Sequence, residues 1–483
     1  MLIQLVYTSI LARLISPESF ALMGIALSVV GFAEVFSQIG IGPALIQKKE
    51  LHAQHIAGAF FSSLLLGLVF TAAFALLAPA IGAAYNSELL SDVIQVVSLS
   101  FTLSAIAIVP RALMMRAMDF KSFFICGMIS IVGGNLITGL LLAWAGYDIW
   151  AYVFALLAQN ALLSLSFWVL RPVKIPLRWT WRYTRELIRY GGGSTLFNAF
   201  NFLATRIDVL MVPVPTGKSA ATRLEDAGVY ERAAYLMGLP ITILGKLSDN
   251  VLFSGMSMLQ NDSRRLRKTW LTAVYFIGLM VIPGSVFVIV FAKEIVGIYL
   301  GSRYDAAVPV VQILFAGVIL RAFTKICDSL LRAMDVLYKG SLIKLLFCCL
   351  MAAGIYVSLP YGLPWVALSV AAATLVQFVL IVGMSLTLLE LTWMQFASGL
   401  RTALLIGVLT AGISMPLRWS IDAFEIALLP ALFAALLVNG LILAASLWYR
   451  PAIFGKGENN HLRTLLERFE KHGFVKRMLN KMQ

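Results

Sequence analysis

Apolar residues fall along this chain in fourteen runs, mostly about 18 to 28 residues long, separated by short breaks of charged, glycine and proline residues. They lie at approximately 1–15, 20–46, 56–84, 93–110, 122–144, 149–170, 190–212, 228–258, 269–291, 306–331, 341–358, 364–388, 398–415 and 426–448. A helix of that length crosses a hydrocarbon layer of roughly 30 Å with its backbone hydrogen bonds made internally. The shorter alternating segments of a membrane β-barrel are a different pattern. The runs predict an all-α polytopic membrane protein of about 14 transmembrane helices. The first run ends at "SPES" without a small-residue cleavage pattern, so it reads as a retained helix, short enough that the chain begins inside its first span.

The polar positions inside the runs carry more information. In the seventh run, at 100° per residue, Ser194, Asn198, Asn201, Thr205 and Asp208 share one side and Arg206 points to an adjacent face. The eighth repeats the pattern with Glu231, Arg232, Tyr235, Thr242, Lys246 and Asp249, blurred by Pro240. In the tenth, Arg321, Lys325, Asp328 and Arg332 follow at i, i+4, i+7 and i+11. The amino-terminal half offers only Arg13 and Glu34 as clear charges within spans. A charge at the bilayer centre costs about 2.5 to 3.5 kcal/mol on insertion scales, so it faces protein or a wet cavity. Structural ion pairs gluing helices together are one reading. A hydrated cavity for an anionic, polyhydroxylated group is the other, and it fits three striped helices better because buried pairs barely offset their desolvation.

Composition agrees with a membrane protein. Of 483 residues, 60% are apolar and 13% charged, against about 45–50% and 25% in soluble chains. The net charge of +14 follows from orientation. With the amino terminus in the cytoplasm, 27 of the 38 basic residues fall in cytoplasmic loops or the tail and five in the opposite loops, counting Lys344 among the former and Arg223 among the latter. Both termini are therefore expected in the cytoplasm, the bilayer itself is the partner of the basic surface, and nucleic acid need not be invoked.

Other chemistry is weak. Cys126, Cys327, Cys348 and Cys349 lie in apolar runs without metal spacing and read as buried structural thiols. His52, His55, His461 and His472 read as solvated histidines of loops or tail. The "GKS" of "PTGKSAA" lacks the upstream glycine of a phosphate-binding loop, Val212 standing in its place. No catalytic cluster and no long external loop favours an enzyme. No metal or cofactor is called for. The tail places Leu462, Leu465, Leu466 and Phe469 on one face of an amphipathic helix.

The first two helices and helices seven and eight look like a repeated opening, which suggests halves with a substrate site near the midplane. The expected division is an amino-terminal six-helix lobe over 1–170, a basic cytoplasmic linker over 171–189, a carboxy-terminal six-helix lobe over 190–388, two further helices over 389–449 and a basic amphipathic cytoplasmic tail over 450–483.

"ARLISPESFAL", "IGIGPALIQKKEL", "PRALMMRAMDFK", "TRIDVLMVP" and "GVYERAAYLMGLP" together resemble the signature stretches of the polysaccharide transporters, the Wzx-like lipid-linked oligosaccharide flippases of the multidrug/oligosaccharidyl-lipid/polysaccharide exporter superfamily. The branch containing the colanic-acid exporter is the most similar. Ser19 and Ala21 stand where that family usually has an acid and a glycine, and Pro213 replaces a usual glycine. The resemblance implies a V-shaped pair of six-helix bundles in a bacterial inner membrane. It also implies transfer of undecaprenyl-pyrophosphate-linked repeat units from the cytoplasmic to the periplasmic leaflet, alongside a polysaccharide polymerase and chain-length machinery.

With that activity, Arg206, Arg232, Lys246, Arg321 and Lys325 are expected to contact the pyrophosphate, joined by Arg13, while Asn198, Asn201 and Tyr235 line the sugar cavity. Asp208, Asp249, Asp328 and Glu34 balance these charges or titrate against H+ or Na+ as the coupling ion. A cation-coupled exporter of drugs or metabolites on the same fold is the rival reading, and a membrane-embedded transferase or polymerase the more distant one.

Overall fold

The structure is a computed structural model, and it describes residues 2–37, 41–48, 51–176, 181–215, 219–248, 252–424 and residue 440. The described residues are almost entirely helical. The amino-terminal helices are α1 (Leu2–Leu14), α2 (Pro17–Ser37), α3 (Ile41–Gln47), α4 (Ala53–Ala84), α5 (Glu88–Val97) and α6 (Leu99–Arg116). Next come α7 (Phe120–Ser130), a π-helical stretch (Ile131–Gly139), α8 (Leu140–Trp144) and α9 (Ile149–Leu170). They are followed by α10 (Trp181–Met211), α11 (Ala220–Leu247), α12 (Phe253–Met258), α13 (Ser263–Val290) and α14 (Ala292–Tyr299). The last are α15 (Ala307–Ala333), α16 (Leu337–Ser358), α17 (Leu363–Leu389) and α18 (Trp393–Phe424).

Ten helical stretches among the described residues are long and apolar enough to cross a membrane, and they correspond to runs two to six and nine to thirteen. α1 is apolar but short. α10 and α11 have the length, and it is their polar residues that set them apart from the ten. All of the fourteenth run except residue 440 lies outside the described residues, as does the tail over 450–483.

Helix starts are placed by local chemistry. Ser87, Asp119 and Asp262 each accept the backbone N–H three residues on, answering one of the four donors that every helix start leaves open. The same chemistry shifts one expected boundary. Ser219 Oγ accepts the Thr222 N–H, so α11 begins at Ala220, within what reads as an external loop. α10 likewise begins at Trp181, inside the basic stretch before the seventh run.

The chain groups into two compact units, one of Met1–Arg232 with Cys348–Leu363, the other of Ala233–Phe347 with Pro364–Gln483. In the first, α2, α4, α5, α6 and α9 surround a core that includes Met23, Ile25, Ile94, Phe101 and Val153. α10 packs on α2. Asp148, at the start of α9 with a φ of 44°, accepts from the Ser16 N–H at 3.0 Å and from Ser19 Oγ at 2.8 Å, which ties the start of α2 to α9. The π stretch packs on α9. A Cβ at Gly134 would stand 2.5 Å from the Gln159 backbone, and one at Gly139 2.7 Å from Tyr7 Oη. In the second unit, α13 packs against α15 and α18.

Two expectations are corrected. Cys126, Cys327 and Cys348 are buried thiols, but Cys349 is exposed, because consecutive residues of a helix point about 100° apart. His55 is 1% exposed, stacked edge-on against Tyr183 with ring centroids 4.6 Å apart and bonded to Glu186; it is no solvated loop histidine.

Candidate functional site

In the first unit the charged stretch of α10 and α11 is closed by its neighbours. Asp208 is 2% exposed, and its carboxylate accepts from Tyr230 Oη at 3.2 Å and from the Val209 N–H at 3.0 Å. Arg206 makes no hydrogen bond or ion pair among the described residues and is half-buried. Residues two apart on a helix point about 200° apart, so the two charges cannot meet. Three turns into α11, Glu231 and Arg232 are both buried and ion-paired to each other. The Arg232 guanidinium also lies 3.9 Å over the ring of Phe20 on α2, a cation–π contact. Small residues admit this cluster. A Cβ at Gly24 would stand 2.9 Å from Glu231 Cγ, and one at Gly228 would overlap the Pro17 carbonyl oxygen.

The row on α15, in the second unit, is left open. Arg321 and Lys325 are half-buried and form no ion pair among the described residues; Arg321 Nη2 is buried with no hydrogen-bond partner. Asp328 is 7% exposed and accepts from Lys344 Nζ of α16 at 3.0 Å through Oδ2, while its Oδ1 is buried with no partner. Arg332, one turn on, lies over Phe253 at 5.4 Å.

The other expected site residues are more scattered. Arg13 is exposed, and Glu34, Asn201 and Tyr235 are half-buried, each with interactions of its own. Asp249 and the side chains of Asn198 and Lys246 lie outside the described residues. Thr205 is exposed where Asp208, three residues on, is buried, so the polar side expected of the seventh run does not face one environment.

Three contacts escape a reading of the sequence. Lys344, assigned there to a cytoplasmic loop, is 2% exposed within α16. Arg223, assigned to an external loop, is buried in α11 and donates to the Pro213 carbonyl at 2.8 Å. Glu186 binds Lys48 and His55, and these two contacts hold its carboxyl below the usual carboxylate range. The one available signal was helical phase. Lys344 falls on the apolar repeat of its helix, at i−3 and i−7 from Phe347 and Met351, both of which are buried.

Among the described residues, ten helices long and apolar enough to cross a membrane, with cations in the helices left without an ion pair, have the character of a membrane transporter. The comparisons name the group more narrowly. Residues 10–309 match the family described as polysaccharide biosynthesis protein, and the chain belongs to that family. The lipopolysaccharide biosynthesis protein WzxC of Escherichia coli strain K12 is 25% identical over 349 residues, covering 70% of this chain and 69% of WzxC. Across the curated relatives it matches, the chain spans between 62% and 69% of their length. Among solved structures, the lipid II flippase MurJ in its inward closed conformation aligns with a TM-score of 0.72 at 15% identity, covering 94% of this chain and 97% of MurJ. An inward-facing multidrug resistance MATE family transporter of the MOP superfamily aligns at 0.64 and 16% identity, covering 80% and 95%. The family resemblance and the all-α fold expected from the sequence are both borne out.

Proposed function

We propose that this protein is a flippase that moves undecaprenyl-pyrophosphate-linked oligosaccharide repeat units from the cytoplasmic to the periplasmic leaflet of a bacterial inner membrane, with both termini in the cytoplasm. The observation that carries the reading is the set of cations without counter-charge. Arg206, Arg321 and Lys325 make no ion pair among the described residues. A helix that keeps such a charge from water and lipid needs an anion to answer it. A pyrophosphate offers several oxygens for charge-assisted bonds, and guanidinium and ammonium groups are the donors suited to it. Membership of a polysaccharide biosynthesis family and the name of WzxC point to a sugar-bearing substrate.

H+ or Na+ coupling through Asp208, Asp328, Asp249 or Glu34, lining of the sugar path by Asn198, Asn201 and Tyr235, and contact with a polymerase and chain-length machinery complete the proposal. Leaflet exposure of a fluorescent undecaprenyl-pyrophosphate oligosaccharide in liposomes tests it, with a membrane-impermeant glycosidase reporting accessible sugar. Protein-dependent gain of access, lost in an Arg206→Ala and Lys325→Ala double variant that still folds, is the expected result. Folded protein that gives no gain with several sugars, or a double variant as active as the parent, sinks it.

A further inference from the structure

α18 packs on α13 with one face and shows apolar residues on another. Val408, Met415 and Trp419 follow at i, i+7 and i+11, so they share one side of the helix, and all three are strongly exposed. α18 is long and apolar enough to cross a membrane, and an exposed apolar face on such a helix meets lipid chains. From Val408 to Trp419 the stripe runs about 16 Å along the axis, close to half of a hydrocarbon core of roughly 30 Å. It is the length of one leaflet.

Met415 and Trp419 also belong to the wall of a cavity of about 360 Å³, completed by Arg418 of the same helix, Ile289 and Val290 of α13 and Gln312 of α15. The Arg418 guanidinium is held at two points. Its Nε lies 3.3 Å from Glu294 Oε1, and its Nη1 donates to the Val290 carbonyl at 2.8 Å. Nη2 makes no hydrogen bond among the described residues, and the side chain is partly exposed. Glu294 is buried and does not line the cavity, so the wall presents the guanidinium and not the carboxylate. Gln312 Nε2 is spent on the Ile289 carbonyl at 3.1 Å, which leaves the amide oxygen as an unused acceptor among the described residues. An arginine and a tryptophan at the end of a leaflet-length apolar stripe are the residues that sit where lipid chains meet head groups.

We propose that this cavity seats the phosphodiester head group of a bilayer phospholipid, with Arg418 as the phosphate ligand and an acyl chain lying along Val408, Met415 and Trp419. A phosphate oxygen accepts from Nη2 in a charge-assisted bond. A head-group hydroxyl donates to the Gln312 amide oxygen, and Ile289, Val290 and Met415 cover the glycerol carbons. A soluble anion would use the guanidinium alone and leave the apolar wall wet, which is why a lipid is the better occupant. Glu294 is a positioning residue, because it engages Nε and leaves Nη2 for the ligand. The bound lipid would join α13, α15 and α18 at one end of the second unit. The site requires no transported substrate, so the inference stands apart from the flippase reading.

The test titrates the full-length protein in detergent with short-chain phosphatidylglycerol, and native mass spectrometry reads the retained lipid. Diacylglycerol of the same chains, which lacks the phosphate, and inorganic phosphate, which lacks the chains, serve as competitors. The parent is expected to hold a saturable copy that neither competitor displaces. Arg418→Gln is expected to weaken that binding about tenfold, the worth of one charge-assisted contact, with Arg418→Lys between the two. Arg418→Gln also strips Glu294 of its partner, so Glu294→Gln is added to the same chain. The double variant is expected to regain the parent's unfolding temperature and not its lipid. Met415→Ser, on the exposed face, is expected to weaken binding by a smaller factor at an unchanged unfolding temperature. No saturable copy in the parent, equal binding in the parent and the double variant, or diacylglycerol that competes on equal terms overturns the inference. Displacement by inorganic phosphate overturns it as well, since the cavity would then be a site for free anions.

Discussion

Asp208 in the first unit and Asp328 in the second are both buried acids on helices that also carry arginine or lysine, yet their surroundings differ. Asp208 is answered by a neutral phenol and a backbone N–H, and the nearby Glu231 and Arg232 answer each other. Among the described residues, Asp328 is answered on one oxygen only, and Arg321 and Lys325 on its helix are answered by no ion pair. The lesson is that a count of charges within spans says little. What separates an architectural charge from a working one is whether the neighbouring atoms complete its bonding, because an orphaned buried donor or acceptor costs about 1–3 kcal/mol and persists only where something else requires it.

The largest effect should come from the closed cluster. Arg232→Ala leaves Glu231 buried without its partner and removes the stacking on Phe20, at a cost of about 3–5 kcal/mol. Loss of folded yield and a lowered unfolding temperature are expected, and replacing Glu231 with glutamine in the same protein should recover much of the loss. A normally stable Arg232→Ala protein would break the comparison. Gly228→Ala comes next. Its new methyl overlaps the Pro17 carbonyl oxygen, a backbone atom that cannot swing aside, and overpacking of this kind costs about 1–3 kcal/mol. Thermal unfolding measures it, and an unchanged transition would show that α11 and the start of α2 are less tightly packed than described.

The open row predicts the opposite pattern. Lys325→Ala should leave stability within about 0.5 kcal/mol of the parent, because no bond is lost, yet reduce flipping about tenfold, as loss of one charge-assisted contact would. Parallel unfolding and liposome measurements separate the two. If stability falls and transport does not, Lys325 belongs with the closed cluster. The smallest effect lies at Glu186, whose carboxyl is held low by its bonds to Lys48 and His55. A depressed folded value means that the contribution is present above the unfolded carboxyl pKa and disappears as pH falls through the folded one. Unfolding temperature should therefore drop on acidification in the parent, and Glu186→Gln should flatten that part of the curve.

Hydropathy located the spans well because length and apolarity are local properties. The run over 56–84 falls inside α4, and that over 364–388 inside α17. It misjudged edges where the deciding contact is distant or small. The aromatic and basic residues from Trp181 onward read as linker but begin a helix, and "AATRLEDAG" reads as loop but follows a serine cap. The charged rows on the tenth run and on the seventh and eighth are visible as patterns, and they mark Arg206, Arg232, Lys246, Arg321 and Lys325, with Arg13, as anion contacts, although Arg232 is paired with Glu231. Which of those charges are already spent was not visible. Asp208 meets Tyr230 across 22 positions and Asp328 meets Lys344 across 16, and neither spacing has a period that one helix would reveal.

The π-helical stretch over Ile131–Gly139 has a consequence for how the chain tolerates change in length. A π turn holds one residue more than the α turn it replaces, so everything beyond it is rotated by about 100° relative to an uninterrupted helix. Gly139 and the short α8 that follows take their orientation toward Tyr7 and Ala155 from that extra residue. Removing any single residue within the stretch would let it relax to α geometry and turn a side chain other than that glycine toward Tyr7. Substitution by a residue of similar size would leave the phase alone. The segment therefore acts as a counter, and what it fixes is the number of residues between two contacts more than the identity of those residues.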